Sequence, residues 1–315
     1  MKRDNIRPIA LTAAFLVGLT ALLAALSWLY RPRDNTKAGG MDYVMAHGYL
    51  GHRAEELDVF FVGSSEFYSA ISPMLLWEQT GISSYDDAIG AQRSYNMAVM
   101  VDEMLKTHRP KLIVLDGYVA LKQGNPDEAV FALAAAKLGI LNNHENWKKF
   151  DLEALSAPVS YTHREINKGF RPDGRAEEAK QGEYMETSDD VFRMPLMNRV
   201  FLDSIKARCR KEGIALLFVT LPSPENWDMA HHVALQDYAD QTGIPLLDLN
   251  LMTKELDIDP AVDYRDGGDH LNIQGAAKVS AYLGEYLRTN YDLPDHRGEA
   301  GYELWQQELA EYPEW

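Results

Sequence analysis

Two short stretches carry residue types that could do chemistry together. One is Gly63-Ser64-Ser65-Glu66; the other is Asp266-Gly267-Gly268-Asp269-His270. A serine hydroxyl becomes a nucleophile when a neighbouring base takes its proton, and a histidine oriented by a carboxylate is such a base. Gly63 permits a sharp turn after the apolar run at 58–62, and the turn lets the Ser65 N–H point the same way as its hydroxyl. That N–H could then stabilise an oxyanion formed by attack of Ser65. The plainer reading is that Ser64 or Ser65 caps a following helical turn. His270 follows two acidic residues and stands directly before a helix that Asn272 can cap. Asp266 and Asp269 both qualify to orient it. Asp266 is preferred, because Gly267 and Gly268 let the loop fold back.

These stretches lie some two hundred positions apart, so the fold must return its last loop to its first strand. The hydrophobic pattern provides for this. Short, continuously apolar runs at 59–62, 112–115, 215–220 and 246–249 read as strands buried on both faces. Helical patterns at 73–80, 95–107, 197–212, 227–242 and 274–287 alternate with them, and Gly213 and Gly243 fall just past helix ends. Strand–helix alternation of this kind predicts a three-layer α/β fold with a parallel sheet. In such a sheet, ligands bind outside the carboxyl ends of the strands.

The 315 residues carry a net charge of −16, which argues against a nucleic-acid partner and a polybasic grip on anionic lipid. Cys209 is the only cysteine, so no internal disulfide or Cys-x-x-Cys metal site can form. His231-His232 lacks the spacing of a helical metal motif. Residues 9–30 carry no charge and reach roughly 33 Å as a helix, enough to cross a hydrocarbon core of about 30 Å. Pro8 suits the helix start, and Trp28 and Tyr30 an interfacial belt. No small-x-small cleavage site stands at the boundary, so an uncleaved anchor is expected rather than a signal peptide. The flanking cations (Lys2, Arg3, Arg7 against Arg31, Arg33, Lys37) are nearly balanced, and the large domain is expected outside the cytoplasm.

Residues 1–30 are thus a cytoplasmic tip and transmembrane anchor, 31–51 a polar linker, 52–294 the α/β domain and 295–315 an acidic tail with four aromatic residues. Positions 122–194 break the alternation. They form an insertion, with a helix pattern at 126–141, that reads either as a lid over the carboxyl edge of the sheet or as a surface elaboration.

Taken together, Gly-Ser-Ser-Glu after the first strand, the lone Gly90 in Ala88-Ile89-Gly90-Ala91-Gln92, the run at 109–116 and Asp269-His270-Leu271-Asn272-x-x-Gly275-Ala276 resemble the SGNH/GDSL hydrolase superfamily. The likeness is nearer to its membrane-anchored, DltD-like bacterial members, in which Gly-Ser-Ser-Glu replaces Gly-Asp-Ser. It spans about residues 57–287 without the insertion, and Leu221-Pro222-Ser223-Pro224-Glu225-Asn226-Trp227 also looks like a segment of these proteins.

The resemblance implies a flavodoxin-like sheet and an acyl-enzyme on Ser65, with His270 as base. The N–H groups of Ser65 and Gly90 would form an oxyanion hole, and no cofactor is required. Asn226 and Trp227 are candidates for the substrate pocket, the other reading being the start of a helix with a buried aromatic, and Glu66 is a candidate structural hydrogen-bond partner of the site. Two departures stand out. The family's acid usually sits three before the histidine, where this chain has Gly267. Its third block usually supplies an asparagine, where this chain has Asp116-Gly117-Tyr118; Gln92 or a backbone N–H would have to replace that donor.

The expected activity is that of a serine esterase or O-acyltransferase. Its partner would be an acyl-bearing envelope glycan or teichoic-acid-like polymer, with a membrane-bound acyltransferase as a further candidate. The alternative is a non-catalytic envelope assembly protein with a decayed site.

Overall fold

The computed structural model describes residues 3–149, 158–179, 182–187 and 190–313. Lys2, Trp315 and parts of the 122–194 insertion lie outside the described residues. Five parallel strands form the sheet: β1 (Val59–Gly63), β2 (Ser84–Ala88), β3 (Leu112–Asp116), β4 (Ala215–Thr220) and β5 (Leu246–Asp248). Their order is β2-β1-β3-β4-β5. The chain therefore steps outward from β1 to β2, then back across it to β3. That reversal between β1 and β3 is the switch point of the sheet, outside whose carboxyl end ligands of such folds bind.

Alternate strand residues feed two cores. Phe60, Val62, Ile113, Leu115 and Phe218 pack with α4 (Ser94–Met104), α8 (Leu196–Glu212) and α9 (Met229–Thr242). Val59, Phe61, Leu112, Val114 and Val219 pack on the other face with α2 (Ser65–Ala70), α3 (Pro73–Thr80) and α10 (Ile273–Asn290). Burying both faces of a strand demands an unbroken apolar run, and β1, β3 and β4 have one. Cys209 lies buried in α8.

β2 breaks that rule and was not expected as a strand from its pattern. Its sequence is Ser84-Tyr85-Asp86-Asp87-Ala88, yet every residue is buried. The exposed side of this edge strand is covered by the insertion. The Asp86 N–H donates to Lys168 O at 2.8 Å, and Gly169 sits so close that a Cβ there would meet Asp86 O at 1.9 Å. Covering the edge protects it from pairing with another chain.

Neither carboxylate oxygen of Asp86 has a hydrogen-bond partner, and burial, followed by the Asp87 charge, pushes its pKa well up. The native state then keeps a proton that the unfolded chain loses above pH about 4, so this group makes stability fall as pH rises through that region. Asp86→Asn is expected to lessen the slope and raise stability at pH 8 by about 1–3 kcal/mol. Thermal unfolding at pH 5 and pH 8 checks this; equal slopes in parent and variant would contradict it.

Residues 31–51, expected as a polar linker, pack onto the domain. Asn35 is buried and exchanges hydrogen bonds with His163, and Tyr49, in the 3₁₀ turn Ala46–Gly51, meets Phe60 edge-on with centroids 5.4 Å apart. The acidic tail forms α11 (Glu303–Glu311), whose Trp305 packs on Trp77. Glu308 accepts from Arg164 Nε at 2.7 Å and Lys168 Nζ at 2.8 Å, which fastens the insertion to the chain's end.

The amino terminus is a single helix, α1 (Arg3–Leu29). Its Arg7–Leu29 portion is long and apolar enough to cross a membrane. The helix predicted at 126–141 is divided into α6 (Pro126–Lys137) and α7 (Ile140–Asn143), and a short α5 (Gly117–Leu121) follows β3.

Candidate active site

β1 ends at Gly63, and the chain turns at once into α2. Ser64 is the N-cap: its Oγ accepts from the Glu66 N–H, and its own hydroxyl donates to Asp116 Oδ2 at 2.7 Å. Ser65 is the first helical residue, so its N–H has no acceptor within the helix. The cap therefore falls on Ser64, and the Ser65 hydroxyl takes no part in it.

Asp116 closes the turn from the end of β3. One carboxylate oxygen accepts from Ser64 N–H and Oγ; the other caps α5 through the N–H groups of Tyr118 and Val119. In place of the asparagine that the resemblance leads one to expect, this chain puts a residue that fixes the backbone beside Ser65. A Cβ on Gly63 would meet Asp116 Cβ at 2.5 Å and Oδ2 at 2.8 Å. Gly63→Ala should therefore displace Asp116 and cost about 1–3 kcal/mol of stability. Urea unfolding measures this, and an unchanged midpoint would refute the close-approach argument.

The loop before α10 returns to Ser65. Gly267 and Gly268 adopt φ of +77° and +110°, left-handed values that fold the loop back as its sequence suggested. His270 Nε2 lies 2.8 Å from Ser65 Oγ, and Nδ1 lies 2.7 Å from Asp266 Oδ2. The His270 N–H donates to the other Asp266 oxygen, also at 2.7 Å. An ionised carboxylate only accepts, so Nδ1 carries the proton and Nε2 is left to accept that of Ser65. Asp269 stands farther away, 3.4 Å from Nδ1. Asn272 caps α10 through the N–H groups of Gln274 and Gly275, which holds the helix against the loop.

A second polar layer supports the loop. Ser223 Oγ lies 2.7 Å from Asp269 O, within donating distance. Asn226 Nδ2 reaches Ser223 Oγ and Glu66 Oε1, both at 3.0 Å, and also bonds Asp269 Oδ1. Tyr118 donates its hydroxyl to Asn226 Oδ1 at 3.3 Å. Glu66 is buried among these groups; desolvation, then the Asp116 and Asp269 charges, push its pKa well up. It acts as the structural partner anticipated from its position. The ligand atoms of Glu66, Asp269 and His270 also lie within 4.8 Å of one another. However, both imidazole nitrogens already face Ser65 and Asp266, so a cation would first have to displace one of them.

Trp227, expected in the substrate pocket, belongs instead to the core. It is buried under α9, and its indole N–H donates to Asp248 Oδ2 at 3.0 Å. Burial of so large an apolar ring outweighs a place at the mouth. Asn226, its neighbour, does face the site. Gly90 lies exposed after β2, tied to the end of β1 by the Ile89 N–H donating to Gly63 O at 3.2 Å. Ala91 beside it holds φ +60°, a strained value for alanine that keeps this loop sharply bent. The backbone carbonyl of Gln92 accepts from Arg93 Nη1 at 3.0 Å. No hydrogen bond from the Gln92 side chain to the site is present among the described residues.

Sequence reasoning missed Ser223 and Asp116 as organisers. Ser223 lies in a segment singled out by resemblance, so a signal existed. Asp116 was noted only for the amide it does not supply.

No family model matches the chain, and no curated protein matches it. Solved structures with a similar chain path include a protein assigned to the lipolytic G-D-S-L family from Desulfitobacterium hafniense (11% identity, TM-score 0.41). It covers 74% of this chain and 99% of its own. The lipase/acylhydrolase from Enterococcus faecalis is 10% identical with a TM-score of 0.41, and the match covers 77% of this chain and 99% of that one. At these values, the functional reading rests on the site's own geometry.

Proposed function

We propose that this chain is an SGNH/GDSL-type serine esterase or O-acyltransferase that works through an acyl-Ser65 intermediate. One observation carries the reading: an unbroken relay from Ser65 Oγ through the His270 imidazole to Asp266, with separations of 2.8 and 2.7 Å. Attack of Ser65 Oγ on an ester carbonyl sends its proton to His270 Nε2, while Asp266 steadies the resulting imidazolium. The tetrahedral oxyanion is held by the Ser65 N–H, with the Gly90 N–H after β2 as the second donor in this reading. Collapse expels the alcohol, which takes the proton back from His270. Water or another hydroxyl then repeats the sequence on the acyl-enzyme.

Hydrolysis and transfer share that first half, and the anchor bears on the second. A membrane-spanning α1 with the domain outside the cytoplasm would keep the site beside envelope polymers. The acceptor or donor in this reading is therefore an O-acylated glycan or teichoic-acid-like polymer, with a membrane-bound acyltransferase as the source of acyl groups. The test uses the full chain in detergent with a short-chain p-nitrophenyl ester, with and without a soluble glycan acceptor. Expected is a burst of about one nitrophenol per chain followed by slower turnover, with ester appearing on the glycan. Absence of any burst would sink the acyl-enzyme reading; a burst with all acyl groups released to water would reduce the protein to an esterase.

A further inference from the structure

The insertion meets the membrane helix where it leaves the bilayer. The Ile140 N–H of α7 donates to Ser27 Oγ at 3.1 Å, and Asn146 Nδ2 donates to Tyr30 O and Gly40 O, both at 3.0 Å. Immediately before α7 lies α6, which inverts the usual amphipathic order. Its buried residues are alanines, Ala129 and Ala135, while Val130 is 68% and Phe131 53% exposed, with Leu133 outward as well. At 100° per residue, Leu133, Val130, Ala134 and Phe131 fall in one arc of about 160°. Past α7, Trp147 is 60% exposed, and Trp28 at the end of α1 is also exposed. A water-facing helix has no reason to bury its alanines and expose its bulky apolar residues. A helix resting on lipid does, and tryptophan suits the headgroup level.

We infer that α6 and Trp147 form a second membrane contact, in which the apolar arc of α6 lies in the interfacial layer of the leaflet that α1 leaves. The occupant of this face is neutral lipid. The protein's net charge of −16 opposes anionic headgroups, and the face offers apolar and aromatic groups. The contact also has a bearing on the site. Four residues, 122–125, separate α5 from α6; Lys122 Nζ lies 4.6 Å over the Tyr118 ring, and Arg93 Nε donates to Gln123 O at 2.8 Å. The rim of the Ser65 site is thus tied at short range to the lipid surface, which favours esters presented at that surface over freely diffusing ones. The inference rests on reading α1 as membrane-spanning.

The test places nitroxide labels on the full chain in nanodiscs of phosphatidylcholine, one at a time, at Phe131→Cys, Val130→Cys and Trp147→Cys. Leu16→Cys on α1 is the reference in lipid, and Glu285→Cys on α10, on the opposite side of the sheet, the reference in water. Cys209 is buried and stays unlabelled under mild conditions. Relative oxygen and nickel-chelate accessibility should put the labels at 130 and 131 roughly 5–10 Å below the lipid phosphates, with the label at 147 near headgroup depth. A Leu16 label in lipid with the labels at 130 and 131 matching Glu285 would overturn the inference and leave the anchor intact. A Leu16 label in water would remove the anchor and the inference together. Labels at 130 and 131 shielded from both agents would show that protein covers the face, and would also overturn it.

Discussion

Ser65→Ala is expected to lower kcat for ester turnover by about 10⁶-fold, the scale seen when a serine nucleophile is removed from an assembled relay. The fold should be unaffected. The Ser65 hydroxyl bonds only His270 among the described residues, while the cap of α2 and the link to β3 belong to Ser64. Stability should therefore change by no more than about 0.5 kcal/mol. Ser64→Ala makes the informative contrast. It removes the N-cap and the bond to Asp116, so it should cost about 1 kcal/mol or more of stability while leaving a nucleophile in place. If Ser64→Ala abolished turnover and Ser65→Ala did not, the two serines would exchange roles and the proposed chemistry would fail.

Asp266→Asn should be nearly as severe, lowering kcat by about 10⁴-fold. An asparagine amide at that position can donate to Nδ1 and so stabilise the tautomer with the proton on Nε2. That imidazole can no longer accept from Ser65 Oγ at 2.8 Å. Asp269 cannot compensate. It stands 3.4 Å from Nδ1, and its other oxygen accepts from Asn226. Asp269→Asn should accordingly cost at most about tenfold, the effect of a half-exposed charge on the imidazolium. Steady-state kinetics on the same ester separates the two variants, and comparable losses would mean that both aspartates share the orienting role.

The parallel α/β architecture was legible in the sequence, and so, for a local reason, was the approach of Ser65, Asp266 and His270 to one another. Ser65 and His270 sit in turns whose sequences impose their own geometry: Gly63 against Asp116, and Gly267-Gly268 at positive φ, which folds Asp266 under the histidine. β1, β3 and β4 announce themselves because parallel strands buried on both faces must be apolar. β2 does not, since its aspartates are buried, Asp86 beneath an insertion that no local pattern reveals. The same holds for residues 31–51. Their polar character suggested a connector, but Asn35 finds its partner 128 positions away, at His163. Trp227 stayed open between pocket and core because an aromatic beside a polar site fits either until Asp248 appears at 3.0 Å from its indole nitrogen. Long-range partners fix such cases, and local spacing carries no record of them.

The claim that Ser65 is an activated nucleophile is tested most directly by mass spectrometry of the full chain after exposure to a fluorophosphonate. A single adduct is expected, mapped to Ser65 and lost in His270→Ala. A chain that stays unmodified, or whose adduct maps to Ser64 or Ser223, would contradict it.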